Sequence, residues 1–144
     1  ALYHPINNEI SPLSLIEYLD TKNKTICLPM VVNKKQPLIF KPWRPGKKMV
    51  IGHYGISVPD NDQTLIPDLI ICPLLAYDSK GMRLGYGGGF YDRTIKYLRR
   101  NKQVKYIGLA FSGQKSYHDL PLEVHDVPLD AVLTETGMDY FQKF

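Results

Sequence analysis

The chain has 144 residues, of which 44% are hydrophobic, a composition that is typical of one globular domain and excludes an intrinsically disordered chain. The formal net charge of +4 is mild, its lysines and arginines are scattered, and no zinc-finger, RNA-binding or basic-region pattern is present, so we expect no nucleic-acid partner. No apolar run approaches the length that spans a bilayer, and the first residues lack the features of a secretory signal, so we expect no membrane partner.

The first half of the chain predicts short strands around one helix. Ser11 is placed to cap that helix and Pro12 to occupy its first turn, and the helix is expected to run to about Asp20 with Leu13, Ile16 and Leu19 on its apolar face. Strands are expected at 1–4, 25–32 and 38–40, and turn signals follow at 43–46, around Gly52 and Gly55, and at 59–62.

The second half predicts strands that alternate with helices. Strands are expected at 68–72, 105–111 and 131–134. A helix is expected after residue 89, with Tyr91, Ile95 and Leu98 on one face, and a short helix over 138–144. The stretch 112–128 is expected to be irregular. This alternation indicates a single α/β domain over 1–144 with a largely parallel sheet.

The two cysteines, Cys27 and Cys72, both lie in apolar runs that resemble strands. We expect them to be small buried side chains rather than a disulfide or a metal site, which is typical of a protein in the reducing cytoplasm.

A glycine-rich stretch lies between a predicted strand and the start of a predicted helix. Four of the five residues 85–89 are glycine, so the main chain there can adopt positive φ and approach a ligand closely. The following helix offers free N–H donors, and Arg83 adds a fixed positive charge. The pattern predicts a phosphate-binding loop, although an ordinary turn is the alternative. It matches neither a Walker loop nor a dinucleotide fingerprint, because Phe90 and Tyr91 follow the glycines.

The stretch Arg-Leu-Gly-Tyr-Gly-Gly-Gly-Phe-Tyr-Asp-Arg at 83–93, preceded by Ala-Tyr-Asp at 76–78, resembles the hallmark loop of the 5-formyltetrahydrofolate cyclo-ligases, also called methenyltetrahydrofolate synthetases. Shorter matches are Glu9, 52–59, 108–111 with Gln114, and 120–135. The resemblance implies a three-layer α/β sandwich with a largely parallel central sheet, similar to the ribose-phosphate isomerase and CoA-transferase-like folds.

The resemblance also implies a reaction. ATP and Mg²⁺ would drive cyclisation of 5-formyltetrahydrofolate to 5,10-methenyltetrahydrofolate, with release of ADP and phosphate. Transfer of the γ-phosphoryl group to the formyl oxygen would give an imidate-like phosphate, from which attack by N10 expels phosphate. The protein would mainly position the reactants and neutralise charge.

The resemblance assigns residues to each part of this reaction. Arg83 and Tyr91 are the catalytic candidates, although Tyr91 also fits a core position. The nucleotide would contact Arg83, Leu84, Gly85, Tyr86, Gly87, Gly88, Gly89, Phe90 and Tyr91. Folate would contact His4, Glu9, Tyr54, Tyr86, Gly87, Gly88, Gly89 and Phe90, where aromatic rings offer a flat apolar surface and Glu9 accepts hydrogen bonds.

Asp92 and Asp126 are the candidate magnesium ligands, with Asp130 as a fallback, because Mg²⁺ prefers one or two carboxylates besides phosphate and water. Asp92 could instead complement the helix dipole, and Asp126 could equally be a turn residue. Gln114 is a candidate for support of the nucleotide or simply for hydrogen bonding within its loop.

Relatives carry a helical segment ahead of the first strand, with a Lys and an Arg that help to bind ATP, and nothing in this sequence matches it. We therefore expect a chain truncated relative to the family, with exposed apolar surface, that is a monomer or a weak homo-oligomer. A catalytically impaired homologue that still binds folate or nucleotide is the alternative function. An isomerase or transferase on the same fold is a third, but no catalytic Glu or Lys at a strand end stands out.

Overall fold

The computed structural model describes residues 1–141, which form two α-helices and ten short strands. The helices are α1 (Leu13–Thr21) and α2 (Phe90–Leu98). The strands are β1 (Cys27–Met30), β2 (Ile39–Pro42), β3 (Met49–Ile51), β4 (Ser57–Pro59), β5 (Leu69–Pro73), β6 (Ala76–Tyr77), β7 (Arg83–Leu84), β8 (Lys105–Leu109), β9 (Ala131–Thr134) and β10 (Gly137–Tyr140).

The largest sheet has the strand order β10-β9-β8-β5. The β5–β8 and β8–β9 pairs are parallel, whereas β9 and β10 form an antiparallel hairpin. Three further antiparallel pairs surround this sheet: β1 with β2, β3 with β4, and β6 with β7. The mixed α/β class and the mostly parallel sheet are thereby confirmed, and the finer three-layer sandwich stays a prediction.

Two apolar clusters lie against β5. Ile70 and Cys72 belong to one cluster, together with Ile95 of α2, and Ile71 belongs to the other, together with Ile16 of α1. Because successive residues of a strand face opposite sides of a sheet, β5 contributes to both clusters. Both cysteines are buried and free, as expected.

The chain start is extended but is not assigned as a strand. Its main chain is nevertheless hydrogen-bonded on two sides: Ile71 N–H donates to the Ala1 carbonyl at 2.9 Å and Leu2 N–H donates to the Cys27 carbonyl at 3.1 Å. The segment therefore lies between β5 and β1, with Leu2 and Tyr3 buried.

Helix α1 begins one residue later than the sequence predicts. Pro12 occupies the N-cap position, and the Ser11 hydroxyl accepts a bond from Leu13 N–H at 3.3 Å. Ile16 is buried as expected, but Leu13 is half exposed, so the predicted apolar face is wrong at that residue.

The predicted C-terminal helix is wrong over the residues that the structure describes. Gly137–Tyr140 forms strand β10, which turns back on β9 with Gly137 opposite Thr134. Gly137 has a φ of +130°, which a residue with a side chain rarely adopts, so it suits this tight turn. Residues 142–144 of the predicted helix lie outside the described part of the chain.

Neither helix within residues 1–141 is long and apolar enough to cross a membrane. Several large apolar side chains, Ile51, Tyr117, Val124 and Tyr140, are well exposed. Self-association through such surface stays a prediction.

Candidate active site

A cavity of about 720 Å³ opens between the chain start, the end of β1, the β3–β4 hairpin, the glycine-rich loop 85–89 and the loop 121–126. Apart from the fallback ligand Asp130 and the supporting candidate Gln114, every residue that the sequence assigned to nucleotide, folate or metal lines it. These residues are His4, Glu9, Tyr54, Arg83, Leu84, Gly85, Tyr86, Gly87, Gly88, Gly89, Phe90, Tyr91, Asp92 and Asp126. The structure thus brings together residues from four separate stretches, while their individual roles stay predictions.

The glycine-rich loop connects β7 to α2 and has the geometry of an anion-binding turn. Gly87 has a φ of +89° and Gly89 a φ of +65°, and Gly89 is the N-cap of α2. No side chain caps the helix there, so the N–H groups of its first turn are available to a ligand.

Arg83 is held in place by side chains below the loop. Its Nε donates to the Tyr106 hydroxyl, and its Nη2 donates to Asp92 Oδ2 at 3.0 Å. The Arg83 and Asp92 side chains are only 8% and 13% exposed, and the guanidinium lies 5.7 Å from the ring centres of both Tyr91 and Tyr106. Arg83 is therefore a buried, fixed cation rather than a solvent-facing side chain.

One edge of this guanidinium faces the glycine-rich loop. A Cβ atom on Gly85 would lie 2.5 Å from Arg83 Nη1, so the absence of a side chain at Gly85 is what lets Nη1 approach the loop. Nη1 and the first-turn N–H groups of α2 form one group of donors suited to a phosphate.

The two predicted metal ligands are engaged within the protein. Asp92 Oδ1 accepts a bond from Val127 N–H at 3.0 Å, in addition to the Arg83 pair. Asp126 Oδ2 accepts from Glu123 N–H at 2.9 Å, which is the turn arrangement that was the alternative for this residue. Within residues 1–141 no three metal-ligating side chains cluster. Each carboxylate oxygen keeps a further lone pair, so the site fits a Mg²⁺ ion that is held mainly by phosphate and water.

Asp130 and Gln114 do not line the cavity. Asp130 Oδ2 accepts bonds from Tyr106 N–H at 2.7 Å and from Arg99 Nη2 at 2.8 Å, so this carboxylate supports β8 and is no metal ligand of the cavity. The Gln114 Oε1 accepts from Phe111 N–H at 2.7 Å within its own loop, and its Nε2 donates to the Leu74 carbonyl at 2.9 Å, so Gln114 links that loop to the residues after β5.

The aromatic candidates divide into exposed and buried side chains. Tyr54 and Tyr86 are more than half exposed on the cavity, and Tyr54 is held at the tip of the β3–β4 hairpin with a φ of +61°. Tyr91 also lines the cavity but packs against the core, and burial raises the pKa of its hydroxyl, which therefore stays protonated at neutral pH. The catalytic role of Tyr91 stays a prediction.

His4 and Glu9 lie at the chain-start side of the cavity. His4 is exposed, whereas Glu9 is partly buried and its Oε2 accepts a bond from Ile6 N–H at 2.9 Å. Burial raises the pKa of the Glu9 carboxyl, and the Ile6 bond opposes that shift. The Glu9 carboxylate is thus a partly buried hydrogen-bond acceptor on the wall of the cavity.

Sequence reasoning missed several residues of the site. Lys34, His53 and Glu123 line the cavity, and Tyr106 orients Arg83 from beneath. The pair Lys34-Lys35 reads as solvated surface in the sequence, and Tyr106 reads as one more residue of a buried strand. Contacts between residues distant in the chain connect them to the site: Arg93 donates to the Lys34 carbonyl, and the Tyr106 hydroxyl accepts from Arg83 Nε.

Comparison with known proteins gives a consistent result for the chain. Residues 1–135 match the model of the 5-formyltetrahydrofolate cyclo-ligase family. The chain is 40% identical over 139 residues to a 5-formyltetrahydrofolate cyclo-ligase of Haemophilus influenzae, an alignment that covers 92% of this chain and 73% of that protein. It is 34% identical over 140 residues to the Escherichia coli K12 protein of the same name, covering 93% and 76%.

Solved structures agree with this relationship. The NMR structure of Aquifex aeolicus 5,10-methenyltetrahydrofolate synthetase superposes with a TM-score of 0.76 at 29% identity, over 99% of this chain and 71% of that one. A 5,10-methenyltetrahydrofolate synthetase from Mycoplasma pneumoniae superposes with a TM-score of 0.65 at 28% identity, over 90% and 68%.

Proposed function

The chain belongs to the 5-formyltetrahydrofolate cyclo-ligase family, and we propose that it converts 5-formyltetrahydrofolate to 5,10-methenyltetrahydrofolate with ATP and Mg²⁺, releasing ADP and phosphate. One observation carries the proposal: a single cavity combines a main-chain phosphate cradle beside Arg83 with the exposed rings of Tyr54 and Tyr86. A reaction between a nucleotide and a pterin needs both surfaces within reach of one another.

On the nucleotide side, Arg83 Nη1 and the N–H groups that begin α2 bind the phosphates of ATP. Because Tyr106 and Asp92 already hold the guanidinium, its charge is in place before the γ-phosphoryl group moves to the formyl oxygen. Attack by folate N10 on the activated carbon then forms the new C–N bond, and phosphate carries away the formyl oxygen.

On the folate side, Tyr54, Tyr86 and Phe90 contact the pterin, and Glu9 accepts hydrogen bonds from its N–H groups. His4 lies at the same wall and is the candidate contact for the formyl group. These assignments place the pterin between the chain start and the glycine-rich loop.

The charges of the cavity support the proposed use of Mg²⁺. Among residues 1–141, the carboxylates of Glu9, Asp92, Glu123 and Asp126 line it, against two permanent cations, Lys34 and Arg83. A triphosphate would meet net negative charge there, so it must bring compensating positive charge. Asp92 and Asp126 are the residues that would hold Mg²⁺, which would supply positive charge beside the phosphoryl oxygens.

The test is a spectrophotometric assay of the purified chain, since methenyl-folate has its own near-ultraviolet absorption. We expect that absorption to appear from 5-formyltetrahydrofolate only with ATP and Mg²⁺. Arg83→Ala should raise the KM for ATP, Glu9→Ala the KM for folate, and Asp92→Asn the Mg²⁺ concentration that gives half-maximal rate. Asp62→Asn, at an exposed position outside the cavity, is the matched control for Asp92.

Two outcomes contradict the proposal. Binding of nucleotide and folate without turnover would identify a catalytically impaired homologue. Turnover that does not depend on ATP would overturn the phosphoryl-transfer mechanism.

A further inference from the structure

Lys34 is a cation of the cavity that has no ion-pair partner in the described part of the chain. Of the two permanent cations that line the cavity, Arg83 is paired with Asp92 at 3.0 Å. The Lys34 ammonium has no carboxylate or carbonyl partner within residues 1–141, and its backbone lies on an exposed turn. Its charge therefore has no ion-pair partner in a cavity that four carboxylates also line.

The position of Lys34 is set by the start of α2. Arg93 Nη2 donates both to the Lys34 carbonyl at 2.8 Å and to the Gly88 carbonyl at 2.9 Å, so one nitrogen connects Lys34 to the glycine-rich loop. The Arg93 guanidinium lies 5.1 Å from the centre of the Phe90 ring, which supports it from the side.

The turn that carries Lys34 is held by hydrogen bonds at both of its ends. Asn33 Oδ1 accepts bonds from the N–H groups of the two residues after Lys34 at 2.9 and 3.1 Å, an arrangement that fixes the turn locally. Further on, Leu38 N–H donates to the fully buried Thr94 hydroxyl of α2 at 2.9 Å. The turn therefore has a defined location relative to the loop, although the lysine side chain keeps its flexibility.

From this arrangement we infer that Lys34 binds the polyphosphate of the nucleoside triphosphate beside the glycine-rich loop. The inference rests on the proposed function and adds a second cation to the proposed nucleotide site. The shared Arg93 bond brings Lys34 beside Gly88 and hence beside the phosphate cradle. Lys35, the next residue, does not line the cavity and has no such role.

Lys34→Met and Lys35→Met provide a matched pair, because each removes one positive charge from the same exposed turn and keeps an apolar stem. Binding of a non-hydrolysable ATP analogue with Mg²⁺ is measured by calorimetry at two salt concentrations, alongside binding of 5-formyltetrahydrofolate. We expect Lys34→Met to raise the Kd for the analogue about tenfold or more and to flatten its salt dependence. Lys35→Met should change it less than about twofold, and Lys34→Arg should restore most of the affinity.

Three results would overturn the inference: an equal loss in both methionine variants, no loss in either, or a loss of folate affinity with nucleotide affinity intact. Failure of the proposed function is distinguishable from these. If the unmodified chain binds the analogue through Lys34 but forms no methenyl-folate, the nucleotide contact stands and the cyclisation proposal falls.

Discussion

At the scale of single residues, the site depends on how one guanidinium is shared. Arg83 Nε donates a hydrogen bond to the Tyr106 hydroxyl and Nη2 donates to Asp92, so Nη1 is the nitrogen that can bind a ligand in the cavity. Asp92 is in turn fixed by Val127 N–H. A cation held by buried partners needs no reorganisation when a phosphate arrives, which is the physical basis of electrostatic preorganisation.

Tyr106→Phe tests this arrangement. The change removes the acceptor of the Arg83 Nε–H and leaves that donor buried and unsatisfied, at a cost of about 1–3 kcal/mol. We expect a lower thermal midpoint and a KM for ATP raised about tenfold, with the KM for folate nearly unchanged. Tyr97→Phe is the control, because Tyr97 is an exposed tyrosine of α2. A fall in thermal midpoint with both KM values unaltered would mean that Tyr106 supports only the fold.

At the scale of elements, the glycine-rich loop is shaped by what surrounds it. A Cβ atom at Gly85, Gly88 or Gly89 would lie 2.5–2.8 Å from the side chains of Arg83, Phe90 or Arg93, respectively. The glycines therefore serve two purposes: positive φ at Gly87 and Gly89, and close approach of neighbouring side chains at Gly85, Gly88 and Gly89.

Gly85→Ala separates these purposes, because Gly85 does not have positive φ. The added methyl group would displace Arg83 Nη1, and Arg83 cannot yield without straining its bonds to Tyr106 and Asp92. We expect kcat/KM for ATP to fall about tenfold or more, which corresponds to about 1.4 kcal/mol. Gly113→Ala is the control, since a Cβ there meets nothing within 4 Å. Equal kinetics in both variants would contradict the packing of Nη1 against Gly85.

The elements that the sequence predicts well are those set by local pattern. The apolar run of β5, the apolar face of α2 at Ile95 and Leu98, and strand β9 all occur at or near their expected positions. Strand β10 was missed because Met138, Asp139 and Tyr140 carry little local preference, and pairing with β9 determines their conformation. The candidate site was located from motif residues, whereas Lys34 and Tyr106 depend on contacts between elements distant in the chain.

At the scale of the whole molecule, the partial burial of Glu9 links folding stability to pH. Burial raises the pKa of the Glu9 carboxyl, so the folded protein holds that proton more tightly than the unfolded chain does. The tighter binding of this proton adds to the free energy of unfolding. That contribution is complete at pH values below the ordinary pKa of a glutamate, and it is lost as the pH rises through the raised pKa of Glu9 in the folded protein. An ionised Glu9 thus lowers stability at neutral pH.

Glu9→Gln should therefore raise the thermal midpoint more at about pH 7 than at about pH 4, while it weakens folate binding. The amide oxygen can still accept the Ile6 N–H bond, so the variant removes the charge and keeps the contact. Thermal denaturation across this pH range gives the comparison, with Glu17→Gln, an exposed glutamate of α1, as the control. A gain that does not vary with pH, or that Glu17→Gln reproduces, would contradict desolvation of Glu9.

The loop at 85–89 presents mainly peptide groups to the cavity. A small-molecule inhibitor anchored to the main-chain N–H groups at the beginning of α2 would contact atoms that every amino acid except proline supplies. Resistance through point mutation would then have to arise indirectly, by altering Gly85, Gly88 or Gly89, where an added side chain collides with Arg83, Phe90 or Arg93. A variant that resists such a compound would therefore also disturb the site of the enzyme itself.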